Sequence, residues 1–170
     1  MRYYLLIVLL LSLVICVDAQ IQRSILELEL NVTTKEQAIN YFSKKDMEIF
    51  VTDDTKFMVE NVKFGGVLWP NAILGFYRDK LNTIFFSHSD EYVPKENLDI
   101  IWKNLCNSYL KKYHDFIVKR GTNDEEIVFE DSKTRLIAVY LLSGNIQFIS
   151  IMYTDLEINN EENEINNGDL

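Results

Sequence analysis

Beyond residue 20, this 170-residue chain holds two histidines and one cysteine, and they are the first places to look for chemistry. Cys106 and His114 raise the idea of a thiol–imidazole pair, in which the base takes the nucleophile's proton. Their spacing argues against it. Eight residues apart on one helix, the side chains stand about 12 Å from each other, whereas a nucleophile and its base need about 3 Å. Cys106 also borders an apolar stripe, the ordinary setting of a buried free cysteine. His88, Asp90 and Glu91 form a second polar group after an apolar run. His88, Asp90 and His114 are the metal candidates, but neither HExxH nor paired-cysteine spacing is present. A solvated loop is the expected role, and no metal or cofactor is expected.

The carboxylates give no clearer signal. Asp53-Asp54, Glu125-Glu126 and Glu130-Asp131 are neighbours along the chain, and nothing in the sequence sets two of them about 5–9 Å apart as glycoside hydrolysis requires. They read as surface charge. GxSxG is absent, and Gly65-Gly66 lacks the pattern of a phosphate cradle. The net charge is −9 with no basic block, which argues against nucleic acid, because phosphate binding rests on clustered Lys and Arg. These residues lean towards a protein that is not an enzyme. A small extracytoplasmic hydrolase built around His88, Asp90 and Glu91 is the alternative, and a carrier of apolar ligands is another.

The elements that position these groups begin after an export signal. Met1 to Ala19 has a positive Arg2, an apolar run of about 13 residues and small residues before Gln20. That run is shorter than the roughly 20 residues of a membrane span, so no transmembrane segment is expected after cleavage. Cys16 follows Ile15 rather than a small residue, which argues against lipoprotein anchoring. The expectation is an exported protein, periplasmic or secreted. Cys106 is then the one cysteine left, and an internal disulfide is excluded. Asn31-Val32-Thr33 matches a glycosylation acceptor.

From 20 to 155 the pattern predicts one domain. LELEL before Asn31 reads as a short extended lead-in. Thr33-Thr34-Lys35-Glu36 has the form of a capping box, predicting a helix over 34–45. Strands are expected at 47–51, 57–64, 71–77 and 81–87, with turns at Gly65-Gly66 and Arg78-Asp79-Lys80. Leu98, Ile101, Trp102, Leu105, Tyr109 and Tyr113 recur at spacings of three and four and predict a helix over 95–113. Strands at 127–130, 134–142 and 145–154 follow, the last two joined at Ser143-Gly144. Residues 156–170 hold five acidic side chains and no basic one, and predict a disordered acidic tail. The fold class is α+β, an antiparallel sheet of about six or seven strands with two helices on one face. Two apolar hairpins, each following a helix, suggest a degenerate α-βββ duplication with halves 32–88 and 94–155.

Val62-x-Phe64-x-Gly66-x-x-Trp69 and Phe76-x-x-x-Lys80-Leu81-x-x-Ile84-x-Phe86 resemble a group of small exported proteins of Bacteroides-type bacteria. The resemblance continues through the Trp102/Leu105 helix to Lys112-Tyr113, Asp131-x-x-Thr134 and Ile151-x-Tyr153-x-Asp155, covering roughly 25–155. Its members have a signal peptide and often an acidic tail ending like Gly168-Asp169-Leu170. The motifs are apolar and turn residues, so the resemblance implies a fold and not an activity. The layout is also similar to beta-lactamase-inhibitor-like periplasmic modules, which act by binding; this is analogy of fold only.

One pattern points to function. The strands 81–87 and 146–153 do not alternate cleanly between apolar and polar. If Ile84, Phe86, Ile149, Ile151 and Tyr153 face the helices, then Leu81, Phe85, Phe148 and Met152 face away. A sheet covered on one side should be polar on the other. Either that second face is covered, by the N-terminal segment or by the sheet curling on itself, or it meets a partner, such as a protein or peptide, or a ligand. Leu81, Phe85, Phe148 and Met152 are the candidate binding residues.

Overall fold

The computed structural model describes residues 20–91, 94–122, 125–143 and 146–168. The expected signal peptide lies outside these residues. In chain order the elements are β1 (Ser24–Ile25), β2 (Leu28–Glu29), α1 (Lys35–Ser43), β3 (Ile49–Asp53), β4 (Lys56–Phe64), β5 (Val67–Tyr77), β6 (Lys80–Ser89), α2 (Lys95–Tyr113), a 3-10 turn (His114–Phe116), β7 (Ile117–Arg120), β8 (Glu126–Glu130), β9 (Thr134–Ser143), β10 (Ile146–Asp155) and α3 (Leu156–Gly168). Strands β1 and β2 form a small hairpin, and the other eight form one antiparallel sheet in the order β3-β4-β5-β6-β10-β9-β8-β7. Each half of the sheet is a four-strand meander preceded by a helix, and the last strands of the two meanders, β6 and β10, pair at the centre. The fold is α+β.

Turn chemistry sets where the strands reverse. Gly65 and Gly66 sit at φ of 61° and 80° between β4 and β5, the left-handed pair that a two-residue reversal of right-twisted strands requires. A Cβ at either would meet nothing within 4 Å, so backbone angle rather than crowding calls for glycine. Arg78 and Asp79 make the same kind of turn without glycine, at 48° and 61°. Contacts from outside hold it. The Asp79 carboxylate accepts from the Lys35 N–H at 3.2 Å, and Arg78 pairs with Glu161 at 3.4 Å.

Helix α1 is capped by Thr34, whose hydroxyl accepts from the Gln37 N–H while the Gln37 side chain accepts from the Thr34 N–H. The capping box is thus one residue later than Thr33 and Glu36 suggest, because the Thr33 hydroxyl already accepts from the Glu29 N–H at 2.8 Å. Ala38 and Phe42 turn inwards, and Phe42 meets the edge of Phe57. Helix α2 has the expected bounds and buries Leu98, Trp102, Leu105, Cys106, Tyr109 and Tyr113. Tyr109 and Tyr113 pack on Phe129, and Trp102 on Tyr140.

The N-terminal segment joins the same layer. Ile21, Ile25, Leu28 and Leu30 belong to the single core formed by both helices and one face of the sheet. Its backbone is fastened by Asn31 N–H to Leu81 O and Leu81 N–H to Thr33 O. Arg23 reaches Asp155 at 2.5 Å, where the carboxylate is fully buried. A charge buried like this needs its partner and its hydrogen bonds, and Asp155 also accepts from the Ile158 N–H at 2.9 Å. The N-terminal segment therefore does not cover the second face.

Three expectations are corrected. The sheet has eight strands rather than six or seven, because Ile117–Arg120 pairs with β8 despite its short, basic sequence. The 156–168 segment is helical rather than disordered. Asp155 caps it, Glu157 lies in its first turn, where the helix dipole favours an acid, and Ile158 is buried. Leu81 faces the core, as described below. No helix among the described residues is long and apolar enough to cross a membrane.

Candidate binding face

Strand register decides which side chains lie together on the face turned away from α1 and α2. Following paired residues across the sheet gives one line: Phe50, Met58, Ile73, Phe85, Met152, Ile137 and Val128. It spans seven strands and contains no polar residue. Cross-strand neighbours of this kind stand about 5 Å apart, close enough for side chains to touch. Phe50 is exposed and Val128 buried; the five between them are partly exposed.

The rows on either side are different. One runs Glu60, Asn71, Ser87, Ser150, Val139, Glu126, and the other Lys56, Gly75, Thr83, Thr154, Arg135, Glu130. At the sheet centre these rows are small and hydroxylated, so Phe85 and Met152 rise above their flanks. At the β7–β8 edge, Lys119 pairs with Glu126 at 2.5 Å and Arg135 with Glu130 at 2.6 Å. Exposed pairs like these add little stability, but they cancel the charge at that edge.

Of the candidate binding residues, the structure brings Phe85, Phe148 and Met152 to this face, all partly exposed. Leu81 is not among them; it is fully buried in the core. The reason is a β-bulge. Gly75 pairs with Thr83 and Phe76 with Leu81, leaving Asn82 as an extra residue in β6. An extra residue reverses the alternation on one side of it, so Leu81 and Phe85 point to opposite faces although four apart. Asn82 is buried there, and its side-chain oxygen has no hydrogen-bond partner. The pairing also places Ile73 on this face, between Met58 and Phe85. Met58 and Ile137 were not foreseen, and only the register of separate strands could have placed them.

The reactive groups are dispersed. His88 is buried in β6, edge-on to Trp69 at 6.4 Å between centroids. Burial lowers its pKa, against a smaller upward pull from the Ser89 carbonyl. Asp90 accepts from the Gln147 N–H at 3.1 Å, closing the end of β10. His114 is exposed beyond the end of α2, 2.9 Å from Asp115. Cys106 is buried in the apolar face of α2. No three His, Cys, Asp or Glu side chains among the described residues are grouped to hold a metal ion. Comparison of the chain with protein-family models, with curated proteins and with solved structures gives no match.

Proposed function

We propose that this chain is an exported, non-enzymatic module that binds a protein or peptide partner through the sheet face opposite its helices. The observation that carries the reading is the apolar line from Phe50 to Val128, crossing seven strands on a face that the N-terminal segment leaves open. Half-buried aromatic and Met side chains above a small polar floor suit a recognition surface. The strand order supports a second part of the proposal, that the domain arose by duplication of a helix-plus-meander unit, with β6 and β10 as corresponding last strands. The resemblance to exported bacterial proteins supports the location.

The test compares capture by the mature wild-type chain with capture by Phe85→Ser/Phe148→Ser, using native envelope or medium as the source of partners. The double variant is expected to keep the far-ultraviolet spectrum and a cooperative melt, lowered by about 2–4 kcal/mol in stability. It should lose the proteins that wild type retains. Equal capture by a folded double variant would sink the proposal.

A further inference from the structure

Two depressions lie at one end of the sheet and share lining residues. The larger, about 610 Å³, is lined by Glu60, Leu68, Pro70 and Ile101 among others. The smaller, about 260 Å³, lies between Phe85 and Phe148, with Ser87, Ser89 and Glu91 around it. Asn71 and His88 line both, so the two lie side by side. Together their walls draw on β4, β5, β6 and β10, and the larger is bordered by Ile101 of α2.

Their charge is one-sided. Glu60 and Glu91 are in their walls, and among the described residues no lysine or arginine is. Neither carboxylate has an ion-pair partner among the described residues, whereas Glu126 and Glu130 at the opposite edge are both matched by basic side chains. The chain as a whole carries −9, so its long-range field favours a cationic ligand on approach.

We infer that the two depressions act as one trough, running across the strands, that takes an extended, basic segment of a partner polypeptide. The inference rests on the binding reading above and adds the chemistry of what binds. Three strand spacings amount to about 14 Å, the length of about four extended residues. An apolar side chain of the segment fits between Phe85 and Phe148. Asn71, Ser87 and Ser89 offer hydrogen bonds to its backbone, and Lys or Arg side chains at its ends meet Glu60 and Glu91. A phosphate or a fatty-acid carboxylate would meet only like charge.

The experiment is fluorescence anisotropy of the full mature chain with a short labelled peptide that has lysine at both ends and alternating leucine and serine between. Its counterpart has glutamate at both ends. The lysine peptide is expected to bind, with weaker binding in added salt. Glu60→Gln and Glu91→Gln should each weaken it about threefold, and both together about tenfold. Glu60 is half-buried and Glu91 exposed, so the double variant should keep its fold, checked by its melt. Equal binding of the two peptides, or unchanged affinity in the double variant, overturns the basic segment while leaving the face reading intact. The same holds if neither peptide binds but Phe85→Ser/Phe148→Ser still loses partner capture. If neither peptide binds and capture is also unaffected, the face reading fails with it. A dimer of the chain that excludes the lysine peptide assigns the trough to a second copy, and this too overturns the inference.

Discussion

The side chains most perturbed by this fold are its buried phenols. The Tyr109 and Tyr153 hydroxyls lie 3.4 Å apart beneath α2. Burial pushes Tyr109 up to about 12, with a smaller opposing effect from its bond to Tyr153, and burial likewise raises Tyr153. Both phenols thus hold their protons in the folded chain at pH values where the unfolded chain loses them, near pH 10. Between about pH 10 and 12 the unfolded state binds fewer protons, so stability falls as pH rises. Below pH 10 this contribution is constant. For Tyr109 alone the loss amounts to about 2–3 kcal/mol across that window. Urea unfolding between pH 8 and 11 measures it, and Tyr109→Phe should flatten the alkaline decline. A decline as steep in the variant as in wild type would show that Tyr109 is not its source.

At the scale of the element, β6 shows what sequence can and cannot reveal. Helix α2 was legible because six large side chains at helical spacing allow only one apolar stripe, and Lys95–Tyr113 is what forms. The strands were legible as apolar runs between turn residues, and the sorting of Ile84, Phe86, Ile149, Ile151 and Tyr153 to the core follows their alternation. The bulge at Asn82 was not legible. It exists only in the pairing of β5 with β6, two stretches whose register no local pattern fixes. The capping box moved for a similar reason, since Thr33 is engaged by Glu29 from an earlier turn. Leu81 and Phe85 turn the bulge into a measurement. Leu81→Ala opens a cavity in a packed core and should cost about 3 kcal/mol. Phe85→Ala removes a partly exposed ring and should cost about half that, while partner capture is lost. Chemical denaturation of the two variants separates these outcomes. Equal destabilisation would mean that Phe85 also serves the core, and its place in a binding surface would have to be abandoned.

Across the whole molecule, the strand order places the β6–β10 pairing at the centre and short strands, β3 and β7, at the edges. Strands β6 and β10 share a seam from Thr83–Thr154 to Ser89–Phe148, with Ile84–Tyr153 and Phe86–Ile151 on the core side and Phe85–Met152 on the open side. Breaking that seam exposes both layers at once. The edges differ: β3 has four exposed residues out of five, and β7 three out of four. Amide exchange follows local opening, which costs least where few apolar contacts are lost. The slowest amides should therefore lie in β6 and β10 and exchange only through global unfolding. Those of β3 and β7 should exchange fastest within the sheet, because each opens at the cost of one neighbour. Hydrogen exchange followed by nuclear magnetic resonance resolves this strand by strand. Protection in β3 or β7 equal to that in β6 would contradict fraying from the edges inward. The expected gradient also bears on recognition. Phe85 and Met152 stand on the strands expected to open last, so the centre of the proposed binding face would be preorganised and add little ordering cost on association. Phe50, at the end of the apolar line, rides on the edge strand expected to open first.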